Sequence, residues 1–214
     1  MTRPAALSTQ PSREPLYLFA AVGALLRGSG IDPVADRLTW LLETFPVMAG
    51  LLLLGLSYRR FPLTPLLYRL LALHALILIV GGYYTYAQVP AFNWLRDALE
   101  LSRNHYDRVG HVAQGFIPAI LAREILLRRS PLQPGKWLFF IVASICLAFS
   151  AFYEMIEWWT ALLSEEAAEA FLGTQGDHWD TQWDMFLALL GALSSQLLLA
   201  RLHDGQLTRL PDGD

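Results

Sequence analysis

KWLFFIVASICLAFSAFYEMIEWW, residues 136–159, decides the class of this protein. From Trp137 to Tyr153 it carries no charge, and a helix needs roughly 20 mostly apolar residues to cross the hydrocarbon core of a bilayer. Its far end carries two acids three apart, Glu154 and Glu157, followed by Trp158 and Trp159. Tryptophan prefers the headgroup level. The same stretch therefore predicts a membrane span and places acidic side chains at one end of it.

Working outward, four other stretches are long and apolar enough to span: about 38–57, 66–86, 109–127 and 183–201. A shorter run from Leu16 to Leu26 precedes Arg27 and the breakers Gly28, Ser29 and Gly30; it reads as a short or tilted sixth span or as an uncleaved signal-like segment, and the span is favoured because no small-residue cleavage site follows it. Composition agrees: the 214 residues are 54% hydrophobic and 16% charged, with a mean hydropathy of +0.36. A soluble globular domain is far less apolar. The net charge of -3 and the dispersed basic residues exclude a nucleic-acid-binding surface. The single cysteine, Cys146, lies inside an apolar run, where it packs as a small apolar side chain. The expected fold is an all-α, polytopic membrane bundle of about six transmembrane helices over residues 15–202, with polar tails at 1–14 and 203–214.

Lysine and arginine near helix ends set orientation, because they are retained in the cytoplasm. Arg59, Arg60 and Arg69 flank one turn, Arg123, Arg128, Arg129 and Lys136 another, and Arg201 follows the last span. These ends read as cytoplasmic, as do both termini. The segments around Asp32–Arg37, Arg96–Arg108 and Glu165–Asp180 carry most of the acids and face outward, where Tyr83, Tyr84, Tyr86, Trp94, Trp158, Trp159, Trp179 and Trp183 form an aromatic belt. Segment 87–104 reads either as an interfacial amphipathic helix or as an irregular loop.

Three stretches at the outward ends hold the chemistry: NHYDRVGHVAQG (104–115), FYEMIEWW (152–159) and GTQGDHWDTQWD (173–184). Asp107 and His111 are four apart, Glu154 and Glu157 three apart, and Asp177, Asp180 and Asp184 three and four apart, so each set shares a helical face. Two histidines with several carboxylates suit Zn²⁺, Mn²⁺ or Fe²⁺, whereas carboxylates alone suit Mg²⁺ or Ca²⁺. The competing reading is an ion-paired network in which Arg108 pairs Asp107 or Asp180. Neither HExxH nor a cysteine cluster is present. Glu43, in the outer half of its span, is a further candidate member. His74, alone in mid-span, is expected to make a hydrogen bond within or between helices. His203 falls in the C-terminal tail.

The stretches 58–90, 104–128, 152–159 and 173–192 closely resemble the YjdF-like bacterial inner-membrane proteins. That resemblance implies a multi-pass fold in the inner membrane and brings no mechanism. A weaker one is to the VanZ-like membrane proteins, implicated in resistance to glycopeptides such as teicoplanin. Their pattern is matched by Asp107 and His111, by Glu154 and by Asp180, but Glu157 stands where that family tends to carry glutamine and Asp184 where it carries asparagine. It implies a four-helix core with a site at one membrane face, more acidic here.

The functional expectation is a metal-assisted hydrolase or transferase acting on a lipid or lipid-linked envelope substrate. In it His105, His111, Asp177, Asp180 and Asp184 supply metal ligands, Glu154, Glu157 and Asp107 act on protons, and Arg108 binds an anionic group. The expected partners are membrane lipids and a lipid-linked or small-molecule ligand. Two other classes compete: a proton-coupled transporter, disfavoured because the polar cluster lies near one surface and no repeat is visible, and an envelope factor that binds lipid or drug without chemistry.

Overall fold

The computed structural model describes residues 13–163 and 174–210. The outermost tail residues and much of the acidic segment beginning at Glu165 lie outside the described residues. All the long described elements are helices: α1 (Glu14–Ser29), α2 (Arg37–Ser57), α3 (Pro65–Tyr84), α4 (Pro90–Ala98), α5 (Tyr106–Arg129), α6 (Lys136–Leu163) and α7 (Asp180–Leu207), with a short 3-10 turn at Tyr86–Gln88. Four of them, α2, α3, α6 and α7, are long and apolar enough to cross a membrane. Helix α5 is 24 residues long, but the charged and polar residues along it keep it outside that group, and α1 is only 16 residues. Segment 87–104 resolves into the short helix α4 followed by irregular chain.

The helices start where their sequences allow. Asp36 caps α2, accepting from the Leu38 and Thr39 amides at 2.9 Å. Pro15, Pro65 and Pro90 sit in the first turns of α1, α3 and α4, where a missing N–H costs nothing.

Three helices carry buried stripes at four-residue spacing. On α5 the stripe is Asp107, His111, Gly115, Ala119 and Arg123; on α6 it is Leu138, Val142, Cys146, Ser150 and Glu154; on α7 it is Asp180, Asp184, Ala188, Ala192 and Gln196. Helices α5 and α7 run parallel and in step: His111 meets Asp184, and Gly115 meets Ala188. A side chain added at Gly115 would run into the Ala188 carbonyl, and one at Gly191 into the Val112 carbonyl. Small residues allow this backbone approach, which is how membrane helices gain dispersion contact where lipid removes the hydrophobic driving force. Ala119 and Ala192 complete the seam against Leu138, Val142 and Cys146 of α6.

At the arginine-rich end the same pair is locked by a buried network. Glu124 and His203 are both fully buried, with His203 Nε2 3.0 Å from Glu124 and His203 Nδ1 2.9 Å from Arg123. Arginine can only donate, so Nδ1 accepts and Nε2–H donates to Glu124. Thr64 Oγ1 and the Thr64 amide also donate to Glu124, which ties in the start of α3. The structure thus corrects the assignment of residues 203–207 to a polar tail: α7 continues to Leu207, and His203 is held because it is the only group bridging Glu124 to Arg123 in this described network.

Two outcomes follow. Gly191→Leu is expected to lower the thermal unfolding midpoint in detergent severely, because overpacking against backbone exceeds the usual 1–3 kcal/mol, roughly, of core overpacking. His203→Ala removes one hydrogen bond from the buried Glu124, which keeps Arg128 and Thr64, and is expected to cost about 1.5–3 kcal/mol, read from the same melt.

Candidate functional site

At the opposite end, the stripes of α5, α6 and α7 all finish in acids. His111 occupies the centre. Its Nε2 lies 3.5 Å from Asp107 Oδ1 and 3.8 Å from Asp184 Oδ2, and its Nδ1 lies 3.9 Å from Glu154 Oε1. Ligand atoms of Asp107, His111 and Asp184 fall within 4.8 Å of one another, and so do those of His111, Glu154 and Glu157. One imidazole is therefore common to both groups, with Asp107 and Asp184 nearest Nε2 and Glu154 nearest Nδ1. His111, Glu154 and Asp184 are buried, yet His111 Nδ1, Glu154 Oε1 and Asp184 Oδ1 have no hydrogen-bond partner. Buried polar atoms are normally paired.

Helix α2 brings a fourth wall. Glu43 is 5% exposed and accepts from Tyr153 Oη at 3.4 Å. Tyr86 packs on it from inside the bundle: an added Cβ at either Gly81 or Gly110 would meet the Tyr86 ring. The belt assignment of Tyr86 is thereby corrected, since the ring is buried. The cause is a sharp turn at Thr85, φ 66°, a conformation uncommon for a β-branched residue, which ends α3 and folds the next side chain back into the bundle.

Above this chamber lies a rim of arginines and aspartates. Arg103, buried, donates to Asp180 and also faces Asp177 at 3.5 Å and Asp107 at 3.7 Å. Arg108 donates to Asp177 at 2.5 Å, with its guanidinium 5.3 Å from the centre of the Trp183 ring. The Trp179 amide and the two guanidiniums hold the Asp177 carboxyl below the usual carboxylate range. Partial burial, with Arg108 and Arg103 nearby, holds the His105 imidazole below its ordinary value, so it is neutral near pH 7.

The candidates read from the sequence thus separate by depth. Asp107, His111, Asp184, Glu154 and Glu157 converge, and Glu43 joins their chamber. His105 stands at the start of α5, and Asp177 and Asp180 belong to the arginine rim; none of the three is in either of the two ligand groups. Arg108 pairs with Asp177 rather than with Asp107 or Asp180, because Arg103 already takes those two. Sequence reasoning missed Asn104, which ties the chain around α4 to the start of α5 and to the turn at Gln175. Fully buried, it accepts from the Tyr106 amide, donates to Val89 O and Asn93 Oδ1, and exchanges main-chain bonds with the Gln175 side-chain amide. The available signal was an asparagine two residues before a helix start, a residue type whose side-chain oxygen bonds the backbone amide two residues on.

Residues 14–205, which include every element of this site, match the family described as "Predicted membrane protein (DUF2238)". The chain belongs to that family. It is 55% identical over 174 residues to the inner membrane protein YjdF of Escherichia coli (strain K12), covering 81% of this chain and 83% of that protein. No solved structure matches it. With four helices fit to cross a bilayer, this DUF2238 member is a multi-pass protein of the bacterial inner membrane.

Arg103→Gln is expected to cost about 3–5 kcal/mol, since it leaves Asp180 buried without its cation. Arg108→Gln, whose partner Asp177 reaches solvent, should shift the detergent melting temperature much less. Equal effects would mean that depth does not separate the two ion pairs.

Proposed function

We propose that this protein is a membrane-embedded, metal-assisted hydrolase or transferase whose substrate is a lipid or lipid-linked envelope precursor. The observation that carries the reading is His111, placed between Asp107 and Asp184 on one side and Glu154 on the other while its own Nδ1 and oxygens of Glu154 and Asp184 are buried without partners. Several carboxylates in a dry site demand compensating positive charge, and a divalent cation supplies more than any side chain. The donor set of one imidazole and carboxylate oxygens suits Zn²⁺, Mn²⁺ or Fe²⁺.

In this reading Asp107, His111 and Asp184 would hold the ion. When bound, it polarises an ester or phosphoryl oxygen as a Lewis acid. Glu154, on the other imidazole nitrogen, or Glu157 accepts the proton of the attacking water or alcohol. Arg108, the more exposed of the two rim arginines, binds the anionic part of the substrate. Asp177 and Asp180 then position Arg108 and Arg103, in place of the ligand roles their spacing suggests, because each is already bonded to a guanidinium. The basic turns at the far end of the bundle support an outward-facing site, with six spans and both termini in the cytoplasm.

The test is metal analysis of the purified, detergent-solubilised protein. About one divalent ion per chain is expected, falling to background in His111→Ala and Asp184→Asn, while Asp177→Asn retains it. A parent protein without stoichiometric metal after incubation with Zn²⁺, Mn²⁺ and Fe²⁺ would remove the ion from the scheme.

A further inference from the structure

The bundle has a seam. Helices α1, α2 and α3 pack on one another, α5, α6 and α7 do likewise, and α3 makes the main link between the groups, leaving α2 with little direct packing on α5. At the acidic end, the α2 side of this seam meets the chamber of Glu43. In the arginine-rich half it is not filled. Two apolar cavities of about 370 and 410 Å³ open beside it, each within the range of a small-molecule site: the first is walled mainly by α1, α2 and α3 and reaches α5 at Pro118 and Leu121, and the second lies between α2 and α5. They share Gly50, Leu54, Leu71 and Leu121 in their walls and adjoin as two lobes.

Two features of the sequence keep them open. Pro46 in α2 and Pro118 in α5 both line the first lobe, and an interior proline removes a helical hydrogen bond and favours a kink, which works against continuous helix-on-helix packing. Gly50 lines both lobes, and a Cβ built there meets no atom within 4 Å. Inside a bilayer such a space is reached by hydrocarbon rather than by water, and close packing requires that something fill it. His74 lines the first lobe too, and the hydrogen bond expected of it is not made at Nε2, which is buried without a partner.

The mouth of the second lobe is cationic. Arg129 lines it, exposed and 5.0 Å from the centre of the Phe61 ring. Its neighbour Arg128 is committed to Glu124 and the Pro62 carbonyl. Arg129, and the exposed Arg59 and Arg60 in the turn after α2, have no carboxylate partner among the described residues. Guanidinium groups at headgroup depth beside two hydrocarbon lobes match one chemistry.

We propose that the seam is the binding site of one diacyl phospholipid with an anionic headgroup, its chains in the two lobes and its phosphate on Arg129. The site is separate from the acidic chamber and does not depend on the metal reading. The lipid completes the contact between the two halves of the bundle, which side chains alone leave unfinished.

Native mass spectrometry of the full chain, delipidated in detergent and given phosphatidylglycerol or phosphatidylethanolamine with identical acyl chains, tests this. One phosphatidylglycerol per chain is expected to be retained, preferred by roughly fivefold. Arg129→Gln, a surface change with little bearing on folding, should bring the preference close to one. Gly50→Phe fills the space its Cβ faces and should abolish retention of both lipids without lowering the melting temperature. Asp184→Asn should leave lipid retention unchanged. A parent that shows no preference, retains no lipid, or closes the seam by dimerising overturns the proposal, as does undiminished retention in Gly50→Phe.

Discussion

The backbone contact between α5 and α7 is the constraint on which the rest of this structure depends. Gly115 lies against the Ala188 carbonyl and Gly191 against the Val112 carbonyl, with no room for a side chain at either position. In a bilayer the apolar surfaces of two helices gain nothing by leaving lipid, so association rests on dispersion at close range and on polar groups that find partners. This pair has both. Small residues occupy the middle of the seam, and ionisable residues occupy its two ends.

The two ends differ in how complete they are. Around Glu124 the polar groups are mutually satisfied: His203, Arg128 and Thr64 each bond to the carboxylate, and Arg123 uses Asp204 and His203. Such a network fixes helices in register. Around His111 the contacts are 3.5–3.9 Å, longer than hydrogen bonds, and several buried atoms have no partner. Nothing in helix packing requires that arrangement, and it carries a cost that the opposite end avoids. A satisfied lock at one end and an unsatisfied chamber at the other divide one helix pair between structure and chemistry.

Much of the fold was legible because the bilayer imposes a simple rule. The spans near 38–57, 66–86, 137–159 and 183–201 follow from apolar length alone, and α2, α3, α6 and α7 lie over them. Helix α5 was legible as a helix over 109–127, but its apolar length was over-read: the Asp107, His111, Gly115, Ala119 and Arg123 stripe that the structure buries makes it too polar to join the four. Membership of the site was legible only in part. Spacing put Asp177, Asp180 and Asp184 on one face of a helix, but α7 begins only at Asp180, so Asp177 lies in the turn before it, where it accepts from the Trp179 amide, and only Asp180 and Asp184 share the face.

By itself the sequence determined the membrane class, the helical elements and the end of the bundle at which acids and histidines collect, because these depend on local hydropathy and local period. Only the tertiary structure decided that α5 and α7 run parallel in close contact, that Arg103 rather than Arg108 takes Asp180, that His203 is interior, and that His111 stands between four carboxylates. Each of these is a meeting of residues tens of positions apart, fixed by where two glycines let backbones touch. A one-dimensional pattern contains the glycines but not the partner they admit.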